Sequence, residues 1–281
     1  MIAVRLEGRL GNQLFQYAFI YSVSKNLKTR FYIDKSVINF MVLAYFDIKP
    51  ARLSVLDQYV FTISGYKNIF NHHLKVAFYK LLKGICGLHE LIFENELSPG
   101  EQLKSINDKV LYTGFFQSED YFIDHKKEII NLFSIKRNYC EQFENILKTL
   151  PASKKYVTVH IRRGDYAGLG LALSSDYYKR AIDSIHTDEN YYIFISDDFE
   201  FINREFGHIE NKYLSENAEI IDFQFLTHAD VCILSASSFS WWGAYLNPKH
   251  PKVIAPAYWL GKNEGKELPV NVIPEGWIKF K

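Results

Sequence analysis

Apolar and polar positions along the first 35 residues follow an order that predicts a strand, a turn, a helix and a second strand. An apolar, β-prone run covers residues 2–6, and a turn with two glycines follows at residues 8–11. Apolar residues recur at helical spacing over residues 14–25, and a second β-prone run covers residues 30–34. This order is typical of the start of a parallel β-α-β unit.

The pattern is clear again after residues 150–153, whose composition is that of a linker. Strands are predicted at residues 156–161, 191–195, 218–221, 231–234 and 252–255, and helices at residues 176–185, 223–229 and 241–246. This alternation predicts an α/β fold with a doubly wound parallel sheet. The length of 281 residues favours two domains, residues 1–150 and 151–281. Residues 35–149 contain a helical stretch at 123–133, but their pattern predicts no topology.

Polar residues are concentrated where four of the predicted strands end. The clusters occupy residues 8–13, 160–166, 196–198 and 235–242. Ligands of open α/β sheets bind at the carboxyl ends of the strands, where loops meet helix amino termini. The four clusters therefore predict one shared ligand site.

The cluster at residues 160–166 contains an arginine pair, Arg162 and Arg163. The pair could form surface ion pairs. Two guanidinium groups directly after a buried strand can also offer paired donors to a diphosphate, where lysine would offer only a point charge. We therefore predict that both arginines bind a diphosphate.

Two further clusters have both a structural and a functional interpretation. Asn12 and Gln13 follow turn glycines, and they add amide donors at a helix start, which favours anions. Asp197 and Asp198 are either a helix cap with its neighbour or ligand contacts.

The last cluster is equally ambiguous. Ser237, Ser238 and Ser240 could cap a helix, but several hydroxyls at one helix start also fit phosphate contacts. Trp241 and Trp242 are more typical of a core than of a platform for sugar rings.

Composition excludes several classes of protein. The chain has 33 basic and 32 acidic residues, so no overall positive field exists to collect nucleic acid. It is 48% hydrophobic and 23% charged, as in globular proteins. The aromatic fraction of 16% is high, and it fits either an aromatic core or a site that stacks on sugars.

Cys86, Cys140 and Cys232 are far apart and lack zinc-binding spacing, so neither a disulfide framework nor a structural zinc site is expected. No secretory signal and no membrane-spanning apolar run is found, so we expect a cytoplasmic location. An apolar helical stripe over residues 72–85 could rest on a membrane surface. A surface helix packed on the core explains the same pattern and is the favoured interpretation.

Two motifs of nucleotide enzymes are missing from the sequence. No G-x-x-x-x-G-K-[ST] segment occurs, which removes the P-loop class. No D-x-D triplet occurs, so the usual carboxylate pair that holds a metal against a diphosphate is missing too. If a nucleoside diphosphate is the leaving group, arginines and backbone N–H groups must stabilise it, which predicts metal-free transfer.

Four segments together resemble the ordered motifs of the bacterial α-1,2-fucosyltransferases, glycosyltransferase family 11. Their order and spacing match from residue 8 to about residue 247, and four long motifs in order are specific although each alone is weak. The segments are Gly8-Arg9-Leu10-Gly11-Asn12-Gln13-Leu14-Phe15-Gln16-Tyr17, His160-Ile161-Arg162-Arg163-Gly164-Asp165-Tyr166, Phe194-Ile195-Ser196-Asp197-Asp198 and Ser237-Ser238-Phe239-Ser240-Trp241-Trp242-Gly243-Ala244.

The resemblance implies a GT-B architecture, two Rossmann-like domains that face each other across a cleft. It implies inverting transfer of L-fucose from GDP-β-L-fucose to the 2-hydroxyl of a galactoside, with no metal and no other cofactor. The partners would be GDP-fucose, bound by the C-terminal domain, and a galactose-terminated oligosaccharide or glycolipid, bound by the N-terminal domain. Peripheral contact with a membrane would accompany a glycolipid acceptor.

The resemblance also assigns roles to individual residues of the C-terminal half. Arg162 and Arg163 would neutralise the leaving GDP. His160 and one of Asp197 or Asp198 would lie at the guanine and ribose.

The remaining roles come from the other two motifs. Ser237, Ser238 and the Phe239 backbone would bind phosphate. Asn12 and Gln13 of the N-terminal domain would approach the β-phosphate and the fucose across the cleft.

The chain departs from the family pattern at Arg9, where a glycine is usual, and at Ala236, where an asparagine is usual. Arg9 adds a cation near the donor, and the lost amide at position 236 is expected to affect substrate preference rather than the fold. A general base is expected for the acceptor hydroxyl. Asp165 is the first candidate, although its neighbouring arginines favour a structural ion pair, and Glu7 is the second.

Other functions remain open from the sequence. The enzyme could use another nucleoside-diphosphate sugar, or it could pass fucose to a different acceptor such as a protein hydroxyl. A non-catalytic carbohydrate-binding protein, with aromatic residues at its site and arginines as surface charge, is the third hypothesis.

Overall fold

The computed structural model describes residues 1–48 and 69–281. These residues form two compact units, Met1–Ser134 and Ile135–Lys281. Each unit contains its own parallel sheet, with helices between successive strands. The α/β fold class predicted from the alternating pattern is confirmed.

The first unit ends at Ser134, before the linker predicted at residues 150–153. The helix Arg137–Leu147 accounts for the difference, because it packs within the second unit. Its Phe143 side chain is 1% exposed, and the Phe143 ring lies 5.0 Å from that of Phe225.

The sheet of the first unit has the strand order β2-β1-β4-β3, and every pair is parallel. The predicted β-α-β start is confirmed, because the helix Leu10–Asn26 connects β1 to β2 and is buried on most sides. The other described helices of the unit are Val42–Tyr45, Ile69–Ile85, Pro99–Leu103 and Lys126–Leu132, with 3-10 turns at Glu119–Tyr121 and Ile123–His125. The strands are β1 (Ile2–Arg5), β2 (Phe31–Asp34), β3 (His89–Ile92) and β4 (Val110–Thr113).

β3 and β4 lie in the stretch for which the sequence pattern predicted no topology. Each strand has four residues; β3 is exposed at three of them, whereas β4 is buried at all four. Neither strand alternates between buried and exposed positions, so a period of two could not reveal them.

The helix Ile69–Ile85 packs on the core as predicted, but of the predicted apolar stripe only Phe78 and Leu82 pack there, beside Tyr79. Tyr79 is buried, and Phe78 packs against the same core cluster. Leu81 and Ile85 are 62% and 72% exposed. The helix therefore also presents an apolar strip to solvent.

The second unit has six parallel strands in the order β10-β9-β8-β5-β6-β7. Four of the predicted strands are present, whereas β7 and β10 were not predicted. The strands are β5 (Lys155–Ile161), β6 (Asn190–Ser196), β7 (Lys212–Ser215), β8 (Val231–Ile233), β9 (Lys252–Pro256) and β10 (Ile278–Phe280). The helices are Arg137–Leu147, Gly164–Gly168, Ser175–Asp183, Phe199–Phe206, Glu219–His228 and Ser238–Tyr245, with a 3-10 turn at Lys262–Glu264.

The strand predicted at residues 218–221 is wrong. Ala218 is the cap residue of the helix Glu219–His228, and the strand of this region is β7, just before it. Ile220 and Ile221 are buried within a helix that is covered nearly all round. A short apolar run of this kind cannot be assigned to strand or helix from periodicity alone.

Candidate active site

The second sheet reverses its direction of winding between β5 and β8. β5 pairs with β6 on one side and with β8 on the other. Counted from β5, this is the strand order of a Rossmann fold, whose ligand crevice lies outside the carboxyl ends of the strands at the reversal. The loops after β5 and β8 therefore flank the predicted ligand edge of this unit.

Two contacts join these loops. Nδ1 of His160 lies 2.7 Å from Oγ of Ser235, and the Tyr166 hydroxyl donates to the backbone oxygen of Ala236 at 3.0 Å. The clusters predicted at residues 160–166 and 235–242 are thus brought together. Residues 8–13 follow β1, in the sheet of the first unit, and their part in one shared ligand site stays a prediction.

Asp197, in the loop after β6, binds the loop after β5 through its carboxylate. Its Oδ1 accepts the backbone N–H groups of Arg163 (2.8 Å) and Gly164 (3.1 Å), and its Oδ2 lies 2.5 Å from Nη1 of Arg162. A Cβ at Gly164 would lie 2.7 Å from that Oδ2, so a side chain at this position would displace the carboxylate. Asp197 therefore acts as a clamp on what we call the arginine loop, residues 162–165, and the nucleoside contact implied for one of Asp197 or Asp198 stays a prediction.

Arg162 is held by two carboxylates. In addition to Asp197, Nη2 of Arg162 donates to Oδ1 of Asp165 at 2.6 Å. The ion pair that the sequence favoured for Asp165 is therefore present. The Arg162 guanidinium also lies 5.7 Å from the centre of the Tyr166 ring.

Arg163 is anchored differently, with its Nε on Oδ2 of Asp198 at 3.0 Å and its guanidinium 3.9 Å from the centre of the Phe201 ring. Among the contacts of residues 1–48 and 69–281, the side-chain hydrogen bond of Arg163 is made by Nε and not by its two terminal nitrogens. The contacts with Asp198 and Phe201 thus orient the two terminal nitrogens of Arg163. These nitrogens are suited to paired hydrogen bonds with an oxyanion.

Asp198 caps the helix Phe199–Phe206, because its Oδ1 accepts the backbone N–H of Phe201 at 2.9 Å. This hydrogen bond and the neighbouring Arg163 lower the pKa of the Asp198 carboxyl. The cap interpretation is confirmed, and both oxygens of Asp198 are engaged within the protein.

The arginine loop with its partners is not a positive patch, because three aspartates face two arginines. A diphosphate would therefore be recognised through oriented donors rather than through net charge. Preorganised donors of this kind need little rearrangement when negative charge develops.

His160 is buried between these loops. Burial lowers its pKa from 6.5 to about 4, so the imidazole is neutral at pH 7. Its ring lies 5.7 Å from that of Phe239 at an angle of 35°. A neutral ring can exchange hydrogen bonds with a base or ribose, but it adds no charge against phosphate.

The helix Ser238–Tyr245 begins at the same edge, with Ser237 in the cap position and no side-chain cap bond. Ser240 instead donates to the backbone oxygen of Ser237 at 3.1 Å and is fully buried. Trp241 and Trp242 are also fully buried, as the core interpretation predicted. Ser237 and Ser238 remain the candidates for phosphate contacts.

A partly buried carboxylate that the sequence did not single out lies near this edge. Asp222 accepts a hydrogen bond from the Ser215 hydroxyl. Burial, with Glu219 nearby, raises the pKa of Asp222 to about 7. The neighbouring Phe223 ring lies 5.4 Å from that of Phe239. Burial of an acidic residue lowers the stability of the fold, but an acidic residue in an apolar run gives no other sequence signal of such a site.

In the first unit, Gln13 has a structural task. Its Nε2 donates to the backbone oxygens of Gly8 (3.3 Å) and Asn39 (2.8 Å), and its Oε1 accepts the Met41 N–H at 2.7 Å. The side chain is fully buried. Gln13 therefore shapes the loop, and its predicted approach to the donor stays a prediction.

Asn12 is half-buried at the start of the helix Leu10–Asn26, and its Oδ1 accepts a hydrogen bond from Nε2 of Gln117 at 2.8 Å. Gln117 follows β4, in the stretch without a predicted topology, so sequence reasoning missed it. Asn12 has its predicted place at the start of the helix that follows a parallel strand.

The sequence model of glycosyl transferase family 11 matches residues 99–279, which is more than half of the chain. The chain belongs to glycosyltransferase family 11. This family 11 protein is therefore a glycosyltransferase, and the resemblance seen in its motifs is confirmed. Membership sets aside the hypothesis of a non-catalytic carbohydrate-binding protein.

Relatives of this family 11 enzyme include the Escherichia coli alpha-1,2-colitosyltransferase, 28% identical over 299 residues that cover 100% of this chain and 99% of the relative. The Bos taurus galactoside 2-alpha-L-fucosyltransferase SEC1 is 22% identical, over 88% of this chain and 64% of the relative. The solved structure of NodZ alpha-1,6-fucosyltransferase co-crystallized with GDP has a TM-score of 0.57 at 11% identity, over 91% of this chain and 94% of that one. This likeness shows the GT-B class of fold, with two Rossmann-like halves.

Across residues 1–48 and 69–281, no group of three or more His, Cys, Asp or Glu side chains is arranged to hold a metal ion. None of the helices described is long and apolar enough to cross a bilayer.

Proposed function

We propose that this family 11 glycosyltransferase transfers L-fucose from GDP-β-L-fucose to the 2-hydroxyl of a galactoside, with inversion and without a metal ion. The observation that carries the proposal is the arginine loop at the winding reversal, with the two terminal nitrogens of Arg163 oriented by Asp198 and Phe201. Family membership and the relatives named for α-1,2 transfer support the reaction class.

The reaction is a single displacement in which the acceptor hydroxyl attacks the anomeric carbon opposite the GDP. The C–O bond to the β-phosphate breaks as the new glycosidic bond forms, and the hydroxyl proton leaves to a base or to solvent. Negative charge develops on the departing phosphate oxygen. Arg162 and Arg163 would stabilise it, and Ser237 and Ser238 would hold the diphosphate at the start of their helix.

The aspartates of the cluster keep the cations in place before the substrate arrives. Asp197 and Asp165 restrain Arg162, while Asp198 restrains Arg163. Such preorganisation reduces the reorganisation needed in the transition state. His160, which is neutral, would contact the guanosine rather than the phosphates.

The donor sugar has one alternative that a specific observation favours. The alpha-1,2-colitosyltransferase aligns over the whole chain, so a related deoxysugar nucleotide is the second candidate donor. For either donor, the acceptor would be a galactose-terminated oligosaccharide or glycolipid, bound by the N-terminal unit.

We propose a cytoplasmic enzyme that makes peripheral contact with the membrane through the helix Ile69–Ile85. The exposed side chains of Leu81 and Ile85 support this contact, and the helix carries no acidic residue. An apolar strip flanked by lysines suits the interface of an anionic bilayer.

The proposal is tested by incubating the purified enzyme with GDP-fucose and a panel of lactose, lacto-N-biose and N-acetyllactosamine, with EDTA present. We expect GDP release and a 2-O-fucosylated product with α configuration. GDP, but not UDP, should raise the melting temperature under the same conditions. Transfer from a different nucleotide sugar alone, or a strict requirement for added metal, would contradict the proposal.

A further inference from the structure

In the first sheet β1 is an inner strand, as β5 is in the second. β1 pairs with β2 on one side and with β4 on the other, so the loops after β1 and β4 leave the sheet side by side. The loop after β1 leads into Asn12, and the loop after β4 contains Gln117. Ligands of open α/β sheets bind outside the carboxyl ends of the strands.

The loop after β4 is held in an unusual backbone conformation. Phe116 has φ +51°, which is rare for a bulky residue, and Gly114, two residues earlier, has φ +146°. The Phe116 ring is 2% exposed and stacks on Phe19 at 3.8 Å. Strain of this kind persists where the surroundings enforce it, and it clusters at functional sites.

The strained residue is followed directly by Gln117, whose side chain is 7% exposed. Nε2 of Gln117 donates to Oδ1 of Asn12 at 2.8 Å. Its Oε1 is buried without a hydrogen-bond partner among residues 1–48 and 69–281. Buried polar atoms are normally paired, so a buried carbonyl left unpaired lowers stability and calls for an explanation.

The contact with Gln117 fixes which way the Asn12 carboxamide points. Oδ1 of Asn12 faces Gln117, and the NH2 group lies over Gly8, where a Cβ would collide with it. Gly8 has φ +71°, so the turn requires glycine for both reasons. Gln16 shows the contrast, because its buried amide is paired with the backbone at both ends, to Glu7 and Gly114.

We propose that Gln117 is a positioning residue for the sugar-nucleotide reaction. It holds the Asn12 carboxamide with the oxygen inward, so that the NH2 group donates to an oxygen of the substrate. In that orientation Oε1 of Gln117 stays unpaired, which lowers the stability of the fold. This inference rests on the proposed function, and it adds a residue outside the four motifs.

The test compares two buried glutamines of the same unit. Gln102 is also 7% exposed, but its Nε2 donates to the backbone oxygens of Glu94 and Leu97 and to the Tyr121 hydroxyl, and its Oε1 accepts the Glu94 N–H. We expect Gln102→Met to lower the melting temperature and to leave kcat/KM near the wild-type value.

Gln117→Met should show the opposite behaviour, with kcat/KM reduced about a hundredfold and the melting temperature unchanged or raised. Gln117→Glu is nearly isosteric, but it offers only acceptor oxygens to Asn12. It should therefore turn the Asn12 carboxamide around and lose activity to a similar extent.

Three titrations show which substrate oxygen accepts the hydrogen bond from Asn12. A weaker Kd for GDP indicates a phosphate oxygen, a higher KM for GDP-fucose at unchanged GDP affinity indicates the donor sugar, and a higher KM for the acceptor indicates the galactoside. Two outcomes would overturn the inference and leave the proposed function intact. One is wild-type kinetics in both Gln117 variants. The other is a melting temperature that falls in Gln117→Met as it does in Gln102→Met. A wild-type enzyme that neither binds GDP nor releases it would overturn both.

Discussion

The loops after β5 and β1 both leave the carboxyl end of an inner strand of a parallel sheet, yet they are built from different chemistry. The loop after β5 is held by ion pairs, in which aspartates bind the side chains of Arg162 and Arg163. The loop after β1 is held by buried amides such as Gln13, which bond mainly to the backbone. Oriented cations suit a departing diphosphate, whereas amides suit hydrogen bonds to neutral oxygens.

The largest effect is expected at the arginines. Arg162→Ala and Arg163→Ala each remove a charged donor at the leaving group, and loss of one such donor costs about 3 kcal/mol, or roughly a hundredfold or more in kcat. Arg180→Ala is a control, because Arg180 forms an exposed helix pair with Asp176. The measurement is steady-state GDP release, with circular dichroism to verify folding. Near-wild-type turnover in both arginine variants would remove the charged loop from the mechanism.

A smaller loss is expected from a single methyl group at Gly164. Gly164→Ala places a Cβ 2.7 Å from Oδ2 of Asp197, so the clamp must shift and the arginine loop loses its anchor. Misplacement of catalytic groups by about 1 Å costs up to roughly a hundredfold, and we expect at least tenfold in kcat/KM. In the same short helix, a Cβ at Gly168 meets nothing within 4 Å, so Gly168→Ala should be silent. Equal kinetics for the two variants would show that the clamp is dispensable.

The second unit should also show two opposing pH dependences of stability. The folded-state pKa of His160 is lowered to about 4, so its contribution to stability is lost as pH falls from 6.5 to 4. The folded-state pKa of Asp222 is raised to about 7, so its contribution is lost as pH rises from 3.8 to 7. Each shift corresponds to on the order of 3 kcal/mol, and the two partly cancel.

Single variants separate the two groups. Relative to wild type, Asp222→Asn should gain stability as pH rises from 4 to 7, and His160→Gln should gain stability as pH falls from 6.5 to 4. Urea unfolding at pH 4.5 and pH 7 measures both effects. Parallel pH profiles for wild type and Asp222→Asn would mean that this carboxylate is ionised throughout.

The smallest effect concerns the apolar strip of the first unit. Leu81→Ser combined with Ile85→Ser should weaken binding to anionic vesicles about tenfold, since partial burial of two such side chains contributes about 1 to 2 kcal/mol. Activity on a soluble galactoside should not change. Val37→Ser, at a side chain that is 57% exposed outside this helix, is the matched control. Equal sedimentation of all three proteins with vesicles would contradict the membrane contact.

Sequence patterns predicted the second unit better than the first, for a physical reason. Long strands such as β5 and β6 have seven residues each, and their apolar runs stand out against the helices between them. β3 and β4 have four residues and no alternation, so nothing local marks them. The strand predicted at residues 218–221 failed because a buried helix and a buried strand share an apolar run.

The candidate site divides in the same way. The arginine pair, the serines at residues 237 and 238 and the helix cap at Asp198 were predicted, since each depends on residue type at an element boundary. Asp197 as a clamp and Gln117 as the partner of Asn12 were not predicted, because each acts across two strands that are distant in sequence.

By itself the sequence determined the fold class, the strand–helix order of the second half and the residue types gathered at the strand ends. These follow from periodicity and from local preferences, which nearby residues fix. Only the tertiary structure decided which strands are neighbours, and therefore that Arg162 is held by Asp197 and that Gln117 reaches Asn12. Sheet order depends on contacts between residues far apart in the chain, and a single sequence carries no local signal for them.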